Sequence, residues 1–460
     1  MWSVKDPLPG VRNGRRIGNK LNTVVKNVHR KRNSSMNSIL IVNQLLRVKD
    51  NALLIKAMKN KGLFAYYFLD HHSIEIGSKK FPNKSFFARK FELESLHNLK
   101  ANLERLNIPL IIDQVGSDHL ATLIDRYSIE SLYSIDFTTS NERRFIDKAI
   151  KKTKIDVTWI KDHSDLLYPL QKLPFDVMEL PEVFTVFRKK VERYHTPETP
   201  FEAPENSLSN GLSIESSKIP SLTELGYSNN TIDDRSAHPF KGGEDAGWER
   251  LDHYFWQTEA LAEYKQTRNG LIGLDFSSKL SAYLAFGCLS PRSIYAEIKE
   301  FESSVVANQD TYWLFFELLW REYFKLISFK HKDRIFKIAG ILNRSYEWGE
   351  NNSLFEKWID GKTKDDFVNA AMIELKSTGW LSNRARQNVA SYWAKNLKQN
   401  WIWGAKYFEA QLIDYDASAN WGNWCYVSGV GNDPRDRKFN TQRQAEMYDP
   451  NNDYRRLWLQ

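Results

Sequence analysis

The chain has 460 residues, of which 42% are hydrophobic and 27% are charged, and its formal net charge is +8. This length predicts about two or three domains with a sizeable core, and no uncharged apolar run is long enough to cross a membrane. Two cysteines, Cys288 and Cys425, exclude a disulfide framework, and no Cys/His spacing predicts a metal site. These features predict an intracellular, metal-free protein.

The first 37 residues account for the net positive charge, with nine lysines and arginines against one acid. They show no apolar periodicity, so we expect a disordered basic extension over residues 1–37. It is either an organellar transit segment or sequence upstream of a true start at Met36, which is favoured because a strand-like run follows. The second interpretation places the protein in the cytoplasm. Without the extension the net charge is near zero, so total charge is weak evidence for DNA binding.

Short apolar runs alternate with helical stretches from Met36 to about residue 165. The predicted strands are Ile39–Val42, Phe64–Leu69, Ile108–Ile112, Ser131–Ile135 and Val157–Ile160. The predicted helices are Ala52–Asn60, Ser85–Leu106, Asp118–Tyr127 and Asn141–Lys151. This alternation predicts a doubly wound, parallel α/β sheet. No Gly-x-Gly-x-x-Gly follows the first strand, so the motif of a dinucleotide-binding module is absent there.

A change of composition follows this region. The stretch from His195 to about Lys241 is rich in Pro, Ser, Asn and Glu and is predicted to be a long surface linker. After Gly242 the apolar residues recur at a spacing of three to four, which is typical of buried helices. The predicted domains are therefore 38–165 (α/β), 166–241 (connector) and 242–460 (helical).

Three motifs in the helical part carry polar groups that a plain core does not need. The segment from Asp414 to Arg435 sets carboxylates and amides among closely spaced aromatic rings, which suits a planar heteroaromatic cofactor or an aromatic loop closing the core. A serine-rich turn at 277–281 precedes a helix and could receive a pyrophosphate or simply cap the helix. Glu317 lies in an apolar helix, where Arg321 is a possible partner at the i,i+4 spacing.

The run Asp-Tyr-Asp-x-x-x-Asn-x-Gly-Asn-Trp-x-Tyr, followed by Gly-Val-Gly-Asn-Asp-Pro-Arg, resembles the flavin-binding half of the photolyase/cryptochrome family. The cryptochrome-DASH branch is the most similar. The resemblance runs from about Gly242 to the C-terminus and, more weakly, back to Met36. It implies an α/β antenna domain followed by a large all-α domain that binds FAD.

The resemblance implies a set of FAD contacts. In it, Arg386 pairs with Asp414 over the isoalloxazine, Arg321 faces the phosphates, and Asn420 stands opposite flavin N5, where it holds the reduced form used for repair. The implied FAD-binding residues are Tyr264, Ser277, Ser278, Leu280, Ser281, Arg321, Asn383, Arg386, Asp414, Asp416 and Asn420.

The resemblance also implies a pocket for a damaged pyrimidine pair, in which Glu317 hydrogen-bonds the lesion and Trp320 packs against it. The implied catalytic residues are Glu317, Trp320, Asn383, Gln387 and Tyr426. Relatives that repair the (6-4) photoproduct have histidines at the positions of Asn383 and Gln387, so the amides indicate the cyclobutane dimer. Duplex-repairing relatives carry Trp and Met where Tyr426 and Gln387 stand. We therefore expect a preference for single-stranded or looped DNA.

Three tryptophans, Trp348, Trp401 and Trp424, coincide with the family's electron-transfer chain, although a lone tryptophan is more often part of a core. The expected activity is that of a deoxyribodipyrimidine photolyase (a lyase) of the DASH type, monomeric and acting on DNA. The alternative is a blue-light photoreceptor without repair turnover. A folate antenna, 5,10-methenyltetrahydrofolate, is the candidate second chromophore. The leading acid of the family's Asp-Leu-Arg-x-x-Asp-Asn motif is replaced here at Leu45, which weakens that expectation.

Overall fold

The structure, a computed structural model, describes residues 36–228, 231–433 and 435–460. The predicted basic extension lies outside the described residues except for Met36 and Asn37, and Asn37 opens the first strand. Across the described ranges, no helix combines the length and the apolarity that crossing a membrane requires.

The N-terminal domain is built on a parallel sheet of five strands in the order β5-β2-β1-β6-β7, with a separate antiparallel hairpin of β3 and β4. Ile39 of the central strand pairs with Phe64 on one side and Leu132 on the other. The strands are β1 (Asn37–Ile41), β2 (Gly62–Phe68), β3 (Ser73–Ile76), β4 (Lys79–Pro82), β5 (Leu110–Asp113), β6 (Ile129–Ile135) and β7 (Thr158–Asp162). All five strands predicted from the apolar runs are present.

Helices connect these strands and flank the sheet. The longest, α2, begins after Ser85, whose hydroxyl accepts the Ala88 N–H and caps the helix. These helices are α1 (Ala52–Ala57), α2 (Phe86–Arg105), α3 (Ser117–Arg126), α4 (Ser140–Lys152) and α5 (Phe184–Tyr194).

The connector between α5 and the next helix forms no helix or strand in its described residues. It is nevertheless fastened along the α/β domain. The Asn210 side chain donates to Leu63 O at 2.7 Å, and Ser217 N donates to Leu110 O at 2.8 Å. These bonds to the ends of two strands make the predicted surface linker an ordered strap.

The C-terminal part of the chain is helical, as predicted. Its longest helix, α10, has 23 residues and begins at a capping box formed by Asn308 and Thr311. The helices are α6 (Glu244–Asp252), α7 (Tyr264–Thr267), α8 (Ser281–Phe286), α9 (Pro291–Ser304), α10 (Gln309–His331), α11 (Asn352–Ile359), α12 (Asp366–Thr378), α13 (Asn383–Ser391), α14 (Trp401–Gln411), α15 (Ala417–Ser428), α16 (Thr441–Tyr448) and α17 (Asp453–Leu459).

Buried charges join the two domains. Asp50 forms a bidentate pair with Arg292 of α9, at 2.8 Å to Nη2 and 3.0 Å to Nε. Glu322 of α10 is fully buried and accepts the backbone N–H groups of Leu167 and Tyr168 at 3.0 Å each. Removing one partner of a buried pair costs about 3–5 kcal/mol because the other charge stays uncompensated. These bonds tie helices α9 and α10 to segments of the chain that precede residue 169.

Candidate cofactor and substrate site

Helices α13, α14 and α15 surround a cavity in the helical domain. The space not filled by protein atoms is about 580 Å³, part of it open to solvent. Seven of the predicted site residues line it: Asn383, Arg386, Gln387, Asp414, Asp416, Asn420 and Trp424. The structure thus brings together residues from two motifs that lie about thirty positions apart in the sequence.

Arg386 and Asp414 form an ion pair at the wall of this cavity. Arg386 Nη2 donates to Asp414 Oδ2 at 2.8 Å, while Nε donates to Leu381 O at 2.9 Å and fixes the guanidinium. The second carboxylate oxygen, Asp414 Oδ1, is buried and has no hydrogen-bond partner among the described residues. Because an unpaired buried acceptor is costly, this atom is suited to a hydrogen-bond donor of a ligand.

Asn420 lies on α15, facing α14. Its Nδ2 donates to Ala405 O at 3.0 Å, and this bond assigns the orientation of the amide. The side-chain oxygen is therefore the atom that remains for a ligand. An oxygen acceptor at this place suits an N–H donor in the cavity.

Lys325 of α10 also belongs to the site, although it was not predicted from the sequence. It is buried, and its Nζ lies 2.9 Å from Asp416 Oδ2 and 3.3 Å from Asp165 Oδ2. Burial disfavours the ionised form of Asp416, but the Lys325 ammonium, the Arg321 guanidinium and the Ala419 N–H together outweigh it and hold the pKa of that carboxyl below its usual value. Asp416 also caps α15 by accepting the Ala419 N–H at 2.9 Å.

The serine-rich turn before α8 is held from behind by Arg250, which donates to the carbonyls of Ser277 (3.2 Å) and Ser278 (2.9 Å). Lys279 in the same turn has a left-handed backbone and is buried, and it donates to Ser277 Oγ at 3.0 Å. Desolvation lowers the pKa of Lys279 to about 6, so an anion bound here would favour its charged form. Leu280 is buried and Ser281 is exposed.

The remaining predicted FAD residues lie outside the residues lining this cavity. Tyr264 is buried at the start of α7. Arg321 donates from Nη1 to Asp165 O at 2.8 Å, towards the N-terminal domain. The i,i+4 pair with Glu317, considered from the sequence, is therefore not the arrangement in the structure.

Glu317 instead pairs with Arg268, which follows α7. Desolvation raises the pKa of Glu317, and the guanidinium of Arg268 offsets part of that rise. Arg384 lies nearby and donates to Gln387 Oε1 at 2.9 Å and to Asn269 Oδ1 at 3.0 Å. Arg268 and Arg384 were missed by the sequence reading, and together they give this edge of the site a positive charge.

Trp320 and Tyr426 bring their rings together at 5.9 Å in an edge-to-face contact. One face of Trp320 stacks on Phe184 of α5, with ring centroids 3.6 Å apart. The Tyr426 hydroxyl accepts a hydrogen bond from Arg437 Nη2 at 3.1 Å. These two predicted catalytic residues thus form one aromatic corner.

The three predicted electron carriers lie in different aromatic groups. Trp424 contacts Phe408 at 5.2 Å and Trp358 at 6.4 Å. Trp401 contacts Trp421 at 5.8 Å. The third, Trp348, packs against a tyrosine and is partly exposed, as the outer end of an electron chain would be.

The sequence matches two known protein families. The family described as "DNA photolyase" matches residues 38–205, and the family described as "FAD binding domain of DNA photolyase" matches residues 313–460. A relative named cryptochrome DASH from Gloeobacter violaceus is 41% identical over 90% of this chain and 83% of its own length. The chain belongs to the cryptochrome-DASH branch of the photolyase/cryptochrome family.

Two further relatives of this cryptochrome-DASH chain agree. A protein named "Cryptochrome DASH, chloroplastic/mitochondrial" from Arabidopsis thaliana is 38% identical over 90% of this chain and 74% of its own length. The crystal structure of a cryptochrome from Synechocystis superposes with a TM-score of 0.85 at 36% identity, covering 93% of this chain and 89% of the other. The fold predicted from the sequence, a parallel α/β domain followed by an all-α domain, is confirmed.

The predicted cofactor, FAD, is supported by the match to the FAD-binding domain, which covers the cavity residues. The cavity itself fits a flavin. Asp414 Oδ1 is a buried acceptor without a partner among the described residues, and Asn420 presents a side-chain oxygen. The ring system of a flavin offers N–H donors for both.

Proposed function

We propose that this cryptochrome-DASH chain is a photolyase that repairs cyclobutane pyrimidine dimers with blue light, by electron transfer from excited reduced FAD. The observation that carries the proposal is the sharing of one cavity. Asn383 and Gln387, the amides expected to contact the lesion, line the same space as the Arg386–Asp414 pair and Asn420, which are expected to contact the flavin. Cofactor and substrate would therefore meet directly.

FAD, when bound, supplies the absorbed light and the electron that opens the dimer. The protein's part is to hold and orient the reactants. The Arg386 cation stays beside the flavin site through its bond to Asp414, where it would offset a negative charge on the ring. The Asn420 side-chain oxygen would accept a hydrogen bond from an N–H group of the bound flavin, which would favour the reduced ring.

The lesion pocket offers hydrogen bonds and ring surfaces. Glu317 and Gln387 supply polar atoms, and the perpendicular rings of Trp320 and Tyr426 form an aromatic wall against which the pyrimidines would pack. None of the residues that line the cavity is a histidine. The amides Asn383 and Gln387 suit the cyclobutane dimer because its ring opening needs an electron and its return without a titrating group.

We also propose a preference for single-stranded or looped DNA. Flipping a base out of a duplex costs a few kcal/mol because its pairing and stacking must be broken. In a single strand most of this cost is absent. Tyr426 has its hydroxyl bound to Arg437, and Gln387 has its amide bound to Arg384. Both partners make this pocket more polar than one lined by Trp and Met. We therefore expect this pocket to bind a flipped lesion with lower affinity.

The test is to express the full chain, measure bound FAD by absorbance, photoreduce it, and follow dimer loss under blue light in oligo-dT and in a matched duplex. We expect light-dependent repair, at least about tenfold faster on the single strand, which corresponds to about 1.4 kcal/mol. Equal repair of both substrates would overturn the strand preference. Photoreduction without any dimer loss would favour the photoreceptor alternative.

The sequence alone favours a start at Met36, but the name of the plant relative leads us to propose that residues 1–35, which lie outside the described part of the chain, act as an organellar transit segment. Their basic, acid-poor composition and the chloroplastic/mitochondrial name of the Arabidopsis relative support this. Fluorescent fusions of the full chain and of the chain beginning at Met36 should localise differently. Identical cytoplasmic signals would support Met36 as the true start.

The folate antenna and the monomeric state stay predictions.

A further inference from the structure

Trp401, a predicted electron carrier, leads by ring contact to another tryptophan. Trp421 of α15 packs edge-on against it, with centroids 5.8 Å apart and planes at 76°. Trp421 is buried, and Phe336 packs against it at 5.1 Å. An electron hole on Trp401 would therefore have Trp421 as an aromatic neighbour in direct contact.

Trp421 in turn touches a phenol and a carboxylate. Its Nε1–H is shared between the Tyr415 hydroxyl at 3.2 Å and Glu409 Oε2 at 3.3 Å. The Tyr415 hydroxyl also hydrogen-bonds Glu409. Tyr415 borders the flavin cavity between Asp414 and Asp416. A phenol, an indole and a carboxylate thus form a closed triangle.

The hydrogen bonds distinguish this triangle from Trp401 itself. The indole N–H of Trp401 donates to Ile338 O at 3.0 Å, a backbone carbonyl that is a poor base. Oxidised Trp401 therefore keeps its proton. Glu409, by contrast, is a carboxylate in contact with both Tyr415 and Trp421, and partial burial raises its pKa, which favours proton uptake.

We propose that Tyr415, Trp421 and Glu409 form a proton-coupled electron relay that refills the hole on Trp401. The inference rests on the proposed function, because Trp401 must carry that hole. The oxidant would be photoexcited oxidised flavin when FAD is bound, and Trp424 would carry the electron from Trp401 to it. One electron passes from Tyr415 through Trp421 to the Trp401 radical cation, and the Tyr415 O–H bond breaks as its proton moves to Glu409. The products are neutral Trp401, a neutral Tyr415 radical and a protonated Glu409 carboxyl.

The relay would lengthen the lifetime of the charge-separated state. A tryptophan radical cation can regain its electron without moving a proton. Tyr415 lines the flavin cavity, so distance does not slow its reduction, but the Tyr415 radical can be reduced only when the proton returns from Glu409, and this proton transfer would slow the back reaction. More of the reduced flavin needed for repair would then survive each absorbed photon.

The experiment uses the FAD-loaded full chain in its oxidised state, with transient absorption and electron paramagnetic resonance after a blue flash. We expect a neutral tyrosyl radical whose formation is slower in D₂O. Tyr415→Phe should remove this radical and its isotope effect and leave a tryptophan radical that recombines faster. Glu409→Gln keeps a hydrogen-bond acceptor but takes up no proton, and it should lower the tyrosyl yield.

Tyr407→Phe is the matched control. Tyr407 lies on α14, the helix that carries Trp401 and Glu409, is buried, and packs in the aromatic cluster with Trp358 and Phe355. Its removal should leave the tyrosyl signal unchanged. A wild-type flash that yields only tryptophan radicals, or a tyrosyl signal that persists in Tyr415→Phe, would overturn the relay. Repair assayed on chemically reduced protein reports on the proposed function separately, and absence of any aromatic radical would overturn the tryptophan chain and the relay together.

Discussion

Replacing Glu317 with alanine is expected to reduce dimer repair by roughly 10- to 150-fold while FAD binding and photoreduction persist. A hydrogen bond to a charged group contributes about 1.5–3 kcal/mol, and each 1.4 kcal/mol is tenfold. The loss should be specific because Glu317 is absent from the residues lining the flavin cavity and is held at its edge by Arg268. Truncation also leaves Arg268 without its partner carboxylate.

Glu317→Gln is the matched control for this experiment. The amide keeps the volume and one acceptor oxygen but removes the charge, so it should retain more repair than the alanine variant. The measurement is dimer loss per flash on photoreduced protein, together with flavin absorbance for stoichiometry. Wild-type repair by Glu317→Ala would remove this residue from the lesion pocket, and parallel loss of flavin would show that its role is structural.

Replacing Asp414 with alanine is expected to yield protein that purifies largely without FAD. The side chain is 2% exposed and is paired with Arg386. Truncating one partner of a buried, hydrogen-bonded charge pair costs about 2–5 kcal/mol, which is at least roughly 30-fold in affinity. The variant also removes Oδ1, the buried acceptor without a partner among the described residues.

Flavin titration monitored by fluorescence measures this effect, with circular dichroism as the check on folding. Asp453→Ala is the control, because Asp453 pairs with Arg456 on α17 but both side chains are 58% exposed. Exposed pairs contribute about 0–1 kcal/mol, so FAD binding should be unchanged. Stoichiometric FAD in a folded Asp414→Ala protein would contradict the cofactor assignment.

The sequence predicts the strands well where burial on both faces produces continuous apolar runs, as in β1 and β2. It misses the hairpin of β3 and β4. Only Ile74 and Ile76 alternate as buried residues in β3, and β4 reads Lys-Lys-Phe-Pro with no buried residue. Short exposed strands lack the periodicity on which such predictions depend.

The residues of the site were likewise predicted only in part. The motifs place Arg386, Asp414 and Asn420 in one cavity, because the resemblance carries over residue by residue. The resemblance did not predict that Arg268 and Lys325 belong to the site. Lys325 has Glu322 three residues before it, but Glu322 binds backbone N–H groups, and the partners of Lys325, Asp165 and Asp416, come from segments more than 90 residues away. Long-range ion pairs leave no local signal.

The buried charges at the domain junction bear on how this family could be recombined. Glu322 is satisfied by backbone N–H groups at 167 and 168, and Lys325 shares Asp165 with the flavin-side Asp416. A chimera that exchanges the α/β domain at a cut before residue 165 would keep these partners, whereas a cut after residue 168 would import foreign ones. The crossover point should therefore decide whether such hybrids fold and hold FAD, provided that the donor domain also carries the aspartate at position 50 that pairs with Arg292.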